Sequence, residues 1–242
     1  MSERPAPVDH RGREINPVFH YHSFMLEPDA TLSPSPTPPL LVVKLGGSLM
    51  RQAPPRALLA RLAPLGGVVL VPGGGAFADG VRTVQPQWGL GEGAAHRMAV
   101  LAMEQMAHAL ADLAPALRPA RTLAGLTAAG PSAALWFPAA LLVGHPDISE
   151  SWDITSDSLA LWLARQLGAP RLLLVKAPGI ALPPATGTPD LAEWSAAGLV
   201  DAAFAGMASG YEGDIVLAAA DDASTLDTVL APYEAAGRTH EP

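Results

Sequence analysis

The sequence predicts an α/β fold, a three-layer α-β-α sandwich around a mostly parallel central sheet, on three observations. Its β-type runs are apolar throughout instead of alternating, as strands covered on both faces are. They alternate with helix-length segments, the order that builds parallel crossovers. Two of them, LLVVK and VVLVP, run straight into the glycine clusters of KLGGS and PGGGAFAD, at the carboxyl ends where open sheets hold their ligands.

The elements follow in order. LLVVKLGG, from Leu40, predicts the first strand, and PPRALLARLAPL a short helix after it. GGVVLVPGGG is the second strand, and AFADGVRTVQPQWG a helix that Pro86 ends. A long helix is predicted from Gly93 to Leu117, with His96, Arg97, Glu104 and His108 among its polar residues. ALWFPAALLV reads as strand, turn, strand, SDSLALWLARQLG as a helix, RLLLVK as a strand, and DIVLAAA as a late strand or helix. Residues 1–39, which end in TLSPSPTPP, predict a poorly ordered Pro-rich extension, leaving residues 40–242 as a single domain without internal repeats.

Composition excludes several classes of function. The 242 residues, 49% hydrophobic, suffice for one large core. No apolar run reaches the roughly 20 residues that cross a bilayer, and the N-terminus lacks a basic-then-apolar signal pattern; a cytoplasmic protein with no membrane partner is expected. The absence of cysteine excludes disulfides and thiolate chemistry. A formal net charge of -8 argues against a nucleic-acid partner, because sequence-independent binding to a phosphate backbone needs a basic surface. An anionic ligand must therefore be met by a few placed groups.

Of the 15 Lys plus Arg residues only Lys44 and Lys176 are lysines, and each ends an apolar strand, LLVVK and LLLVK. A lysine there is a compact charge that can reach a phosphate, although a strand end at the surface can also simply be capped by one. In KLGGS, Lys44, Gly46, Gly47 and Ser48 would converge on phosphate oxygens. Gly73, Gly74 and Gly75 permit close approach of a second ligand, with the following helix N-terminus adding positive potential. Two anion cradles suggest a donor and an acceptor, while neither fits a Walker A loop or a dinucleotide fingerprint. In ESWDITSDSLALWLA, Thr155, Ser156 or Asp157 can cap the next helix, leaving a carboxylate at the positive end of its dipole; an ordinary N-cap, with Asp153 a solvated loop residue, is the plainer reading.

Taken in order, these motifs resemble the amino acid kinase superfamily, with its carbamate kinase-like fold, from about Leu40 to Leu230. VVKLGGSL, VPGGGAFADGVR, AAHRMAVLAMEQ and SWDITSDSLALWLA are most similar to the branch associated with methanofuran biosynthesis, which converts an aminomethylfuran phosphate ester into its diphosphate with ATP. The resemblance implies a kinase using ATP and Mg²⁺, with no metal site of its own. It divides the domain into an acceptor side of about 40–150 and a nucleotide side of about 151–242. It assigns Lys44 to the transferring phosphoryl group, Gly46, Gly47 and Ser48 to the nucleotide phosphates, and Gly73, Gly74 and Gly75 to the acceptor. Asp157 would organise the catalytic lysine, and Lys176, three residues before Gly179, would lie with that glycine near ATP. Ser156 falls among the substrate-binding positions, Arg82 would hold the acceptor phosphate, and Asp153 would pair with the acceptor ammonium.

The departure is a second catalytic lysine that several relatives carry in a late helix after a glycine. The comparable stretch, EGDIVLAAA, offers Leu217. Alternatives are therefore a kinase of isopentenyl phosphate or another small phosphate or carboxylate, or a non-catalytic binding or storage protein. A phosphate acceptor is already ionised and needs no general base, so His96 and His108 are read as helix-surface or interface groups. The apolar faces of the long helix predict a homo-oligomer.

Overall fold

The computed structural model describes residues 39–50, 54–183 and 189–238, so the extension expected over residues 1–39 lies outside the described residues except for Pro39. β1 (Leu41–Leu45) leads through a 3-10 turn (Gly47–Met50) to α1 (Arg56–Leu62), and β2 (Val68–Pro72) leads into α2 (Gly75–Trp88) and α3 (Glu92–Leu113). β3 (Arg118–Ala120), α4 (Leu123–Thr127), β4 (Ala134–Trp136) and α5 (Ala139–Leu142) come next. They are followed by α6 (Ser156–Gln166), β5 (Arg171–Lys176), α7 (Leu191–Ala196), α8 (Phe204–Met207), β6 (Asp214–Ala219) and α9 (Ala223–Arg238).

The described strands form one sheet in the order β3-β4-β2-β1-β5-β6, and every pairing is parallel. From β1 the chain crosses to β2 and on toward the β3 edge, whereas β5 lies on the other side of β1 and leads outward to β6. Connections after β1 and β5 thus leave in opposite directions, the place where open sheets bind ligands.

Strand alternation decides what points there. Leu41, Val43 and Leu45 of β1 share one core with Leu173 and Val175 of β5, against Leu59, Leu62, Leu226 and Leu230 of α1 and α9. Val42, Leu172 and Leu174 belong to the other, against Leu159, Leu161 and Leu163 of α6 with Trp194 and Phe204. On a two-residue period, Lys44 and Lys176 continue this second set. Both ammonium groups therefore come up on the α6 side, at the carboxyl ends of adjacent strands.

Three expected boundaries change. α2 runs through Pro86 to Trp88 and stops at Gly89, whose φ of 66° ends the helix with its N–H on the Gln85 carbonyl. Pro86 is exposed in the last turn, as is Arg82, whose carbonyl it leaves without its helical partner. α3 ends at Leu113, four residues early, because Pro115 offers no N–H and disfavours helical dihedrals at Ala114. The second half of ALWFPAALLV is the helical turn α5, whose Ala139 N–H donates to the Glu104 carboxylate of α3 at 2.8 Å. A single chain-distant carboxylate thus converts an apparent strand into a capped turn.

DIVLAAA forms strand β6, in which Leu217 pairs with Leu174 and is buried. Leu217 is a core residue and no counterpart of a helix lysine. No helix among the described residues is long and apolar enough to cross a membrane. Replacing Leu217 by Lys would place an ammonium in this apolar cluster, and Leu217→Lys should cost about 3 kcal/mol of stability. An unchanged urea denaturation midpoint would contradict the strand assignment.

Candidate active site

Asp157 is the meeting point of the two lysines. Lys44 Nζ lies 2.8 Å and Lys176 Nζ 2.9 Å from the same carboxylate oxygen, Asp157 Oδ1. All three side chains are buried. Burial pushes the Asp157 carboxyl up, but the charges of Lys44 and Lys176 outweigh it and hold the group below its ordinary value. Lys176 is pushed down to about 8, first by burial and then by the Lys44 charge, against the pull of Asp157. Two cations sharing one anion leave one net positive charge at the switch point.

The helix carrying Asp157 is held by a residue far along the chain. Asp157 sits in the first turn of α6, where a carboxylate meets the positive end of the helix dipole. Thr155 occupies the N-cap position without making a side-chain cap bond. Its place is taken by Asp201, whose carboxylate accepts from the N–H (2.9 Å) and hydroxyl (2.8 Å) of Thr155 and from the N–H (3.0 Å) and hydroxyl of Ser158. Asp201 therefore sets the height at which Asp157 meets the lysines.

The two glycine clusters are one surface. A Cβ on Gly47 would lie 2.5 Å from the Gly75 nitrogen, and one on Gly73 would lie 2.4 Å from the Gly47 nitrogen. No side chain fits between the loops at these points. Gly75 adopts φ 52°, a left-handed conformation that favours glycine, and there the chain turns into α2. The expected separation into two cradles is thus replaced by backbone-to-backbone contact, which sets Gly46–Ser48 and Gly73–Gly75 side by side.

Beside these loops lies a cleft of about 170 Å³. Gly47, Ser48, Gly74 and Gly75 line it together with Ser156 at the start of α6, while Val100, Met103, Ile154 and Leu159 make an apolar wall. Arg82 and Asp79 of α2 also line it, 3.4 Å apart. The Arg82 guanidinium sits 4.2 Å over the Trp152 ring, and the Trp152 indole donates to Gln85 Oε1 at 2.6 Å. A planar cation held on an aromatic face is suited to an anion entering the cleft.

Comparisons with known proteins bear on the family and the fold. The sequence profile described as "Amino acid kinase family" matches residues 39–135, the segment holding Lys44 and both glycine loops. A relative is the (5-(aminomethyl)furan-3-yl)methyl phosphate kinase of Methanocaldococcus jannaschii, 29% identical over 140 residues. That alignment covers 55% of this chain and 63% of the relative, less than two thirds of its length. The fold matches crystal structures of UMP kinase from Ureaplasma parvum (TM-score 0.56, 13% identity, 79% of this chain and 94% of that one) and Bacillus anthracis (0.55, 13%, 80% and 91%). Uridylate kinase from Archaeoglobus fulgidus also matches (0.51, 14%, 74% and 89%).

Over residues 39–135 the chain is similar to the amino acid kinase family. The predicted residues Lys44, Asp157 and Lys176 come together in the structure, and Gly47, Ser48, Gly74, Gly75, Arg82 and Ser156 line one cleft. Gly46 and Gly73 support that lining from behind, Gly46 donating its N–H to the Val175 carbonyl at 2.9 Å and Gly73 to Leu45 at 2.9 Å. Gly179 forms an exposed left-handed turn beyond Lys176, with φ 72°. Asp153 stands apart from the cleft: its side chain is exposed, and its backbone carbonyl accepts from Ala203. The carboxylate that lines the cleft is Asp79.

His108 is exposed, with its ring edge-on to Phe137 at 4.9 Å, whereas His96 is buried and lines the cleft, contrary to the surface role expected for it. Sequence reasoning does not find Asp201, because no local pattern links it to Ser158, 43 residues earlier. Trp152, a lone aromatic in a polar loop, carried a signal. Asp201→Ala should lower the unfolding free energy by about 2–3 kcal/mol, the loss of a cap plus stranded donors. Chemical denaturation measures this, and a change within error would show that α6 is held by packing alone.

Proposed function

We propose that this chain transfers the γ-phosphoryl group of ATP to a small phosphate monoester, with aminomethylfuran methyl phosphate as the preferred acceptor and its diphosphate as product. The observation that carries the reading is Asp157 held by Lys44 and Lys176 next to a cleft walled by the paired glycine loops. The net positive charge suits two phosphate groups brought together, and Arg82 and Ser48 offer donors to the one that enters the cleft. The similarity to the M. jannaschii enzyme supports this choice of acceptor.

The chemistry is positioning and charge neutralisation. An oxygen of the acceptor phosphate forms a bond to Pγ, the bond from Pγ to the β–γ bridging oxygen breaks, and ADP leaves with the electron pair. No side chain has to remove a proton, since the attacking oxygen is already ionised. Lys44 stabilises charge on the transferring group, Lys176 faces the nucleotide side, and Asp157 keeps both in place while remaining ionised. On this reading an acceptor side at about 40–150 and a nucleotide side at about 151–242 meet at the cleft, and both contribute to its lining.

Among the described residues no group of three or more His, Asp or Glu side chains could hold a metal ion. The central carboxylate is already engaged by two ammonium groups. Mg²⁺ would therefore be carried by the nucleotide phosphates and water, where it supplies further charge neutralisation. Isopentenyl phosphate is the second reading, favoured by the apolar wall of Val100, Met103, Ile154 and Leu159. A non-catalytic storage role, motivated by the absence of the late-helix lysine, would show as no ADP release with any monophosphate; on the kinase reading Lys176 supplies that charge.

Lys44→Met should reduce kcat at least about 10³-fold. The assay is ADP release with candidate monophosphates, normalised to folded protein because a buried ion pair is also lost. Near-normal turnover would remove Lys44 from the mechanism. Lys176 loses its proton in the free protein as pH rises through about 8, so kcat/KM should fall above that pH, while bound phosphates hold the proton and move the fall in kcat higher. For stability the sign is opposite. From about 8 up to the usual lysine value of 10.5 the unfolded chain binds a proton that the native one does not, so Lys176 becomes less destabilising as pH rises. A kcat/KM profile that stays flat across that range would place the working charge elsewhere.

Phe77 (45% exposed), Trp88 (68%) and Leu101 (47%) project from α2 and α3. A second copy of the chain covering them would make the protein a homo-oligomer. Light scattering at micromolar concentration should report a dimer or larger species, and a monomer would argue against it.

A further inference from the structure

We infer that His96 determines acceptor specificity: its Nε2 accepts a hydrogen bond from a donor group, an ammonium or hydroxyl, that the acceptor carries besides its phosphate. The inference rests on the reading of the cleft as the acceptor site. His96 lies near the start of α3, is 4% exposed and lines the cleft. Its Nδ1 is 3.0 Å from the Ser151 carbonyl oxygen. A carbonyl can only accept, so Nδ1 carries a proton and donates, and with that single proton on the ring Nε2 presents a lone pair. Nε2 is buried and has no partner.

A buried nitrogen without a partner is costly, and such groups are normally satisfied by a ligand or water. Ala99, Val100, Met103, Ile154 and Leu159, the apolar residues of the cleft, have no polar side-chain atom to offer. Of the donors that line the cleft, the Thr155 hydroxyl is taken by Asp201, and none of Ser48, Ser156 and Arg82 is bonded to Nε2, which leaves it open to a donor carried by the occupant. Gly47, Ser48, Gly74, Gly75 and Arg82 suit an anion, and His96 suits a hydrogen-bond donor, so the lining fits a molecule with both. A phosphate monoester bearing an amine meets both requirements, and an isoprenoid monophosphate meets only the first.

His96 also clamps the loop that carries Trp152, together with the adjacent Arg97, which makes two bonds to Glu150 at 2.7 and 2.6 Å. The experiment has to separate the two roles. His96→Asn keeps a donor for the Ser151 carbonyl and lacks Nε2. Calorimetry without nucleotide would compare aminomethylfuran methyl phosphate with the analogue in which a methyl replaces the aminomethyl group, on the wild type and on this variant.

The wild type should bind the aminated ester about 10- to 100-fold more tightly, and His96→Asn should lose that preference while binding the methyl analogue as before. Equal binding of both esters by the wild type, a preference that survives in His96→Asn, or equal weakening of both esters would overturn the proposal; the last would leave a loop clamp only. Should His96→Asn fail to fold, the wild-type ¹⁵N resonance of Nε2 decides. It should move on saturation with the aminated ester and not with the methyl analogue, and a shift with both or neither would sink the idea. Because these readouts need no turnover, a protein that binds as described but releases no ADP would refute the kinase reading and leave His96 standing. A protein that turns over both esters alike would do the reverse.

Discussion

The site depends on a buried carboxylate shared by two ammonium groups. Without the lysines, burial would drive Asp157 toward its neutral form, and without Asp157 two cations would face each other in a poorly solvated space. Each member is tolerable only because the other two are present. The requirement reaches into the fold: β1 and β5 must be neighbours in a register that sends Lys44 and Lys176 to the same face, and α6 must cross that face with its first turn at their ends.

The parts of this arrangement that were legible in the sequence are local ones. Continuously apolar strands, a lysine at the end of β1 and of β5, and glycine clusters after β1 and β2 are short-range patterns, and these three strands fall where those patterns put them. The hidden parts depend on contacts between distant segments. Glu104 turns the AALL segment into a helical turn, Asp201 supplies the cap that Thr155 does not, and Ser151 decides which nitrogen of His96 holds the proton. Pro86 is a related case: proline's cost depends on whether the carbonyl it strands is buried, and the residue bearing that carbonyl, Arg82, is exposed. The histidine that lines the cleft looked like one of several polar residues on a long helix because its burial comes from the loop folded over it.

The cleft divides by chemistry along the chain. Its anion-facing portion comes from the glycine loops and Arg82, which belong to the segment matched by the family profile. Trp152, Ile154, Ser156 and Leu159 lie beyond that segment, in the loop and first turns of α6. Should the cleft take a phosphate ester as proposed, the glycine loops and Arg82 would hold the phosphate, and the loop before α6 and the facing turn of α3 would meet what the phosphate is attached to. Arg82 spans the two portions, since its partner ring is Trp152.

The contact between Gly47 and Gly73–Gly75 has a thermodynamic consequence. The loops touch through main chain, without a compressible side chain between them, so a displacement of one is a displacement of the other. If one loop faces the nucleotide and the other the acceptor, the two ligands share a single mechanical element. Whatever factor the first to bind imposes on the affinity of the second must be returned in full when the order is reversed. Cooperativity between substrates would then be a property of the backbone of four glycines and no side chain, one that mutation could destroy but hardly tune.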